Sequence, residues 1–279
     1  MILVVGANGM LGRDLMGLLG DNARGVDIDE IDITSMESVF KVVSVFAPHV
    51  VINCAAYTDV DGCEENIEKA MEVNGEGVAY LAMACREVGA LLVQVSTDYI
   101  FDGSKGSPYQ EYDAPHPLSV YGESKLAGEM NAAIAPEHLI VRTQWLYGLH
   151  GKNFVETMLR LGAEKDQLSV VDDQIGSPTW TVDLARAIIA LVDKGCRGIY
   201  HAANRDFCSW NCFAKAIFEE AGLNVSVVPM TTEELNRPAR RPLYSTLDCS
   251  KLVADSGFEP QSWRQALREY LKLRTDNQI

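Results

Sequence analysis

Tyr121 and Lys125 stand four residues apart in the run Tyr121-Gly122-Glu123-Ser124-Lys125. On a helix this spacing stacks the phenol and the ammonium on one face, one turn apart. A free phenol ionises near pH 10, too high to exchange a proton readily at neutral pH. A nearby cation favours phenolate, so Lys125 would tune Tyr121 into a proton donor for a developing alkoxide. The spacing is common by chance, and its surroundings give it rank. Upstream, the apolar run Leu91–Val95 ends in Ser96-Thr97-Asp98-Tyr99-Ile100-Phe101. A hydroxyl there, from Ser96 or Thr97, would lie at the rim where parallel α/β sheets bind ligands, able to hold a carbonyl oxygen beside Tyr121. The bland alternative is a Ser-Thr strand end that opens a turn.

A second constellation lies at the start of the chain. Ile2–Val5 runs directly into Gly6-Ala7-Asn8-Gly9-Met10-Leu11-Gly12 and then into a helical pattern. In that strand–turn–helix context Gly6 permits the tight turn, Gly9 lets a pyrophosphate approach the backbone, and Gly12 lets the helix pack closely. The helix N-terminus then faces the phosphates of a dinucleotide. Arg24–Asp27 reads as the next strand, and a carboxylate at its end, Asp27, would hold the adenosine ribose and favour NADH over NADPH. Asp27, Asp29 or Asp32 could instead be plain surface charge, and Asp32 with Ile33 could lie along the adenine. A nicotinamide would supply hydride, and Lys125 could hydrogen-bond its ribose.

These side chains need a scaffold. Short runs rich in Val and Ile, at Ile2–Val5, Val50–Asn53, Leu91–Val95 and His138–Val141, alternate with amphipathic segments at Met10–Leu19, Ser35–Phe46, Glu64–Val88 and Leu118–Ala132. Such alternation predicts an α/β fold, a Rossmann-like doubly wound parallel sheet, and Ser35 reads as an N-cap. Beyond residue 150 it loosens into helices near Asn153–Gly162, Val182–Val192, Trp210–Ala221 and Trp263–Leu273, with a strand at Gly198–His201. Residues 1–150 therefore read as a dinucleotide-binding domain. Residues 151–279 read mainly as a smaller substrate-binding lobe, with some segments returning to the first domain. The polar stretch Glu234–Tyr244 reads as a surface loop.

Bulk composition narrows the function. The chain has 279 residues, 47% of them hydrophobic, enough to bury a full core. Its net charge of −15 argues against a nucleic-acid partner, because a phosphate backbone is bound through a basic surface. Seven cysteines without CxxC pairs fit a reducing compartment. No basic leader precedes the first apolar run, and no apolar stretch is long enough to span a membrane. A cytoplasmic enzyme is expected.

The glycine loop, NCAAYTDVD, STDYIFDG, YGESK, RTQWLYG and DDQIGSPT, in this order, resemble the extended short-chain dehydrogenase/reductase family and, within it, the dTDP-4-dehydrorhamnose reductases. The resemblance runs from Ile2 to about Lys251. It implies reduction of the 4-keto group of a dTDP-linked 6-deoxyhexulose by NADPH or NADH, in a monomer or homodimer. It selects Thr97 over Ser96 beside Tyr121 and Lys125. Implied cofactor contacts are Gly9, Met10, Leu11, Asp32, Ile33, Ala56, Tyr57 and Thr58. Implied substrate contacts are Thr97, Asp98 and Trp145, with Arg241 near the diphosphate. Some members bind Mg2+ between subunits through glutamates, one of them in the first helix. Here Asp14 stands at that position and no second Glu matches near Val182, so no metal site is assigned.

The other conspicuous residues carry blander readings. Five histidines lack ligand spacing, Cys208 and Cys212 read as a free buried pair, and the acidic run Asp59–Glu65 reads as a helix start. Two rival functions keep the same motifs. One is an epimerase or dehydratase of the same family, against which Asp98-Tyr99 in place of Asp-Glu argues mildly. The other is a non-catalytic subunit like the regulatory partner of methionine adenosyltransferase, against which retention of Thr97, Tyr121 and Lys125 argues.

Overall fold

Six strands, Ile2–Val5, Ala23–Val26, Val50–Asn53, Leu91–Thr97, His138–Thr143 and Gly198–His201, pair in parallel into one sheet. In the computed structural model, which describes residues 1–276, they run in space as Gly198–His201, His138–Thr143, Leu91–Thr97, Val50–Asn53, Ile2–Val5 and Ala23–Val26. Chain order reverses between Ile2–Val5 and Val50–Asn53, the switch point where such sheets open a crevice beyond their carboxyl ends. The expected doubly wound parallel sheet is the fold of this chain.

Successive strand residues alternate between two cores, which is why the strands read as continuous apolar runs. On one face Leu3, Val5, Val51, Leu92 and Ile140 pack with Val39, Val43, Leu81 and Cys85 from the helices Met36–Phe46 and Gly77–Val88. On the other, Val4, Ile52, Val93, Leu139 and Val141 pack with Leu11 and Leu15 of Met10–Leu19 and with Leu184, Ile188 and Leu191 of Thr181–Asp193. A third core, with Tyr147, Trp180, Phe213, Trp263 and Tyr270, gathers the helices Phe154–Glu164, Trp210–Ala221 and Trp263–Asp276. Of the expected substrate lobe, residues 277–279 lie outside the described residues. No helix among the described residues is long and apolar enough to cross a membrane.

Helix starts follow their caps. Ser35 accepts the Ser38 N–H as expected, Asp59 accepts that of Gly62, and Ser119 accepts that of Gly122. One expectation needs correction and another gains detail. Glu64–Val88 is not one helix: Val60–Glu65 ends at Asn66, whose φ of −123° and ψ of 58° leave the helical region. Ile67–Met71 then runs into a π-helical turn, Glu72–Glu76, before Gly77–Val88. That turn carries the buried Asn74, whose side chain holds the main chain of Tyr57 and donates to Ser124 Oγ. Glu234–Tyr244 lies mostly at the surface, as expected, but it is not a plain loop. It starts in the short helix Thr232–Leu235 and folds inward, because Asp61 accepts hydrogen bonds from the Ala239 N–H and the Arg241 guanidinium.

Candidate active site

The glycine loop is built for close approach by main chain. Gly6 takes φ +77°, where a side chain is strained, and a Cβ there would stand 2.7 Å from Ala55 N. A Cβ on Gly12 would stand 2.2 Å from Gly6 O, so the helix starts pressed against its own loop. Gly9 caps Met10–Leu19 without a side-chain hydrogen bond, and the first turn carries no acid. Its first-turn N–H groups are thus available to an anion, the usual way a dinucleotide's phosphates are held.

A cleft of about 280 Å³ opens beside this loop, lined by Gly6, Gly9, Asp27, Asp32, Ile33 and Ala56 among others. Leu11 sends its side chain into the core. Asp27 accepts from Asn8 N at 2.7 Å and from Ile28 N at 2.8 Å, so its carboxylate ties the strand end to the glycine loop. Asp32 accepts from both the N–H and the hydroxyl of Thr34. Tyr57 and Thr58 continue from Ala56 along the same segment, Tyr57 fixed by Asn74 and Thr58 exposed.

The reacting corner lies where Leu91–Thr97 meets the N-terminal half of Val120–Ala132. Register gives the two hydroxyls different partners. Ser96 points to the helix side and donates to Glu129 Oε1 at 2.5 Å. Thr97 lies on the opposite face, donating to Asp98 and accepting the Tyr99 N–H. Tyr121 hydrogen-bonds with Thr97 and stacks edge-on against Tyr99, ring centroids 5.4 Å apart. Lys125 is 4% exposed and donates to Val95 O at 2.7 Å.

Burial dominates the electrostatics here. It pushes Lys125 down to about 8, against the opposing effects of Glu129 and Cys54. The expected lowering of the phenol is corrected: burial pushes Tyr121 well up, hydrogen bonding with Thr97 opposes it, and Asp98 and Tyr99 add to it. The pair at neutral pH is therefore a phenol beside an ammonium. Burial also pushes Asp98 up to about 7, opposed by hydrogen bonds from Ser245 and Thr97.

The remaining predicted contacts, Trp145 and Arg241, come from the second half of the chain, Trp145 two residues beyond the strand His138–Thr143 that pairs with Leu91–Thr97. Trp145 adopts φ +48°, a strained region for a bulky residue. It is held there by stacking on Trp210, ring centroids 3.6 Å apart, and by Gly176, where a Cβ would stand 2.5 Å from the Trp145 ring. Arg241 makes a bidentate pair with Asp61, both distances 3.0 Å, and contacts Tyr99. The sequence reading missed Asn74, Trp210 and Ser245. It met Asp61 only as part of a helix start. No local signal marks the first three, because each acts through a partner distant in sequence.

Asp14, at the position compared with a metal-binding glutamate, has one carboxylate oxygen buried without a partner and the other near Thr181. Among the described residues no group of three His, Cys, Asp or Glu side chains is placed to hold a metal. Cys208 is buried but Cys212 is exposed, so they are not the buried pair expected.

Known proteins resemble this chain over nearly its whole length. A dTDP-4-dehydrorhamnose reductase from Streptomyces griseus is 47% identical over 96% of this chain and 91% of its own. The crystal structure of a dTDP-4-dehydrorhamnose reductase from Clostridium acetobutylicum is 45% identical, with a TM-score of 0.95, covering 98% of this chain and 99% of the other. One from Bacillus anthracis, solved with NADP, is 41% identical with a TM-score of 0.95 and 98% coverage of both chains. The family profile described as the RmlD substrate binding domain matches residues 1–275, and this chain belongs to that family.

Proposed function

We propose that this chain reduces the 4-keto group of dTDP-4-dehydro-L-rhamnose (dTDP-4-dehydro-6-deoxy-L-mannose) to dTDP-L-rhamnose, using NADPH or NADH, in the cytoplasm, for rhamnose-containing polysaccharides. The observation that carries the reading is the convergence of Thr97, Tyr121 and Lys125 at the rim of the sheet, two strands from a glycine loop with free N–H groups. The names of the relatives support the substrate class and the oxidoreductase activity.

Gly6, Gly9, Gly12 and the main chain of Met10 and Leu11 would hold the pyrophosphate. Asp27, Asp32 and Ile33 would border the adenosine, and Ala56, Tyr57, Thr58 and Lys125 the nicotinamide half. When bound, the nicotinamide supplies hydride to the keto carbon. Thr97 and Tyr121 hold the carbonyl oxygen, and Tyr121 gives its proton to that oxygen as negative charge develops. Lys125 offsets the charge left on the phenolate. Asp98 and Trp145 would place the sugar ring, and Arg241 would face the diphosphate from the late loop. We assign 1–150 to cofactor binding and most of 151–279 to covering the sugar nucleotide.

The test is to mix purified protein with dTDP-4-dehydro-L-rhamnose and follow NADPH and NADH absorbance in parallel, with Tyr121→Phe as control. Consumption by wild type alone supports the reading. Binding of either cofactor without consumption refutes reduction of this sugar.

A further inference from the structure

Beneath the reacting corner lies a buried ionic cluster that the proposed chemistry does not use. Glu129 follows Lys125 by one helical turn and is 5% exposed. Its carboxylate is gripped on both oxygens by Arg142, with Nε to Oε1 at 2.9 Å and Nη2 to Oε2 at 2.7 Å, while Ser96 donates to Oε1. Arg142, 3% exposed, also reaches Glu111 O at 3.3 Å and His201 Nε2 at 3.4 Å. The clamp joins the helix carrying Tyr121 and Lys125 to the strand carrying Thr97 and to the next two strands.

We propose that Glu129 is a positioning residue: locked by Arg142 and Ser96, its carboxylate fixes the Tyr121–Lys125 helix against the Thr97 strand and holds the Lys125 ammonium in its charged form. The proposal rests on the reductase reading for what the ammonium does. Three arguments carry it. First, the Lys125 ammonium donates to a main-chain carbonyl, Val95 O, and a neutral oxygen does not offset removal of a full charge from water. Second, the charged groups around it leave that task to Glu129. Cys54, from the segment after Val50–Asn53, is held as a thiol by burial, and Tyr121 is held as a phenol. Arg142 is a second cation, and His201 behind it is kept neutral by burial and by Arg142. Glu111 is pushed up by burial and meets the cluster through its main-chain carbonyl and, via Oε1, the His201 N–H. Third, engaging Ser96 on the helix side leaves Thr97 as the hydroxyl facing the reacting corner.

The experiment compares wild type, Glu129→Gln and Glu129→Gln/Arg142→Met. One readout is the alkaline limb of kcat/KM for the sugar nucleotide. The other is the titration midpoint of Lys125 by carbon-13 NMR of labelled lysine, assigned with Lys125→Met. Glu129→Gln, which leaves Arg142 unpaired, should move both midpoints down by about one pH unit or more. The double variant, which leaves no orphan charge and is the one measured should Glu129→Gln fail to fold, should move them down by less. Unchanged midpoints in either folded variant, even with activity lost, overturn the proposal and leave Glu129 a packing element. If wild type turns over no sugar, the reductase reading fails, while the NMR midpoint still decides the role of Glu129.

Discussion

The cofactor cleft and the reacting corner sit at the ends of neighbouring strands but are built from opposite materials. The cleft is main chain: three glycines, a bare helix N-terminus, and a carboxylate, Asp27, that accepts from the backbone N–H groups of Asn8 and Ile28. The corner is side chain, with Thr97, Tyr121 and Lys125 packed over the Ser96–Glu129–Arg142 clamp. A main-chain site recognises what many substrates share, whereas a buried side-chain site performs one proton transfer. Damage to the first should therefore appear in affinity, and damage to the second in turnover.

The sharpest test is Tyr121→Phe, expected to lower kcat by about a thousandfold while leaving NADPH affinity, read by fluorescence titration, unchanged. A large loss of affinity would break the distinction. Lys125→Met should abolish turnover yet stabilise the fold by on the order of 2–3 kcal/mol at neutral pH, measured by denaturant midpoint. The sign follows from burial: Lys125 is pushed down to about 8 from 10.5, so the unfolded chain binds more protons across that window. The penalty of burying the ammonium is full below about pH 8 and fades as pH rises towards 10.5, so the gain from Met should shrink over the same range.

Gly12→Ala should act in the other place. Its Cβ would meet Gly6 O and Ala7 main chain, which cannot swing aside, and overpacking of that kind costs about 1–3 kcal/mol. NADPH affinity should fall by tens of fold by calorimetry, with kcat at saturation largely kept. Arg241→Ala removes the Asp61 pair and should raise KM for the sugar nucleotide about tenfold, with cofactor affinity unaltered. The smallest change is expected from Asp27→Ala. It should shift the NADPH to NADH preference a few fold towards NADPH, because losing one half-buried carboxylate moves a phosphate's binding by about 1 kcal/mol, read as the ratio of the two dissociation constants.

The same contrast governs what could be read without coordinates. The cleft was legible because its parts are local: the strand, the turn and the helix occupy consecutive residues, and each glycine has a position-specific reason. The Tyr121–Lys125 spacing and the capping residue Ser35 were legible for the same reason. Ser96 and Thr97 could not be separated from residue types, since what separates them is that Glu129 and Arg142 take up Ser96. Asn66 and the π turn at Glu72–Glu76 broke a helix whose apolar periodicity looked continuous, because Asn74 is drawn to the Tyr57 main chain. The phenol was misjudged by weighing the Lys125 charge before desolvation, the larger effect in a corner this dry.

Two contacts also set a timetable. Ser245 hydrogen-bonds Asp98 across 147 residues, and Arg241 meets Asp61 across 180. A chain leaving the ribosome has its dinucleotide crevice long before its last partner arrives, and contacts of such sequence separation are slow to form. During refolding, nucleotide binding should therefore return before activity. A ribosome-stalled chain ending ahead of Tyr244 should bind cofactor and turn over nothing.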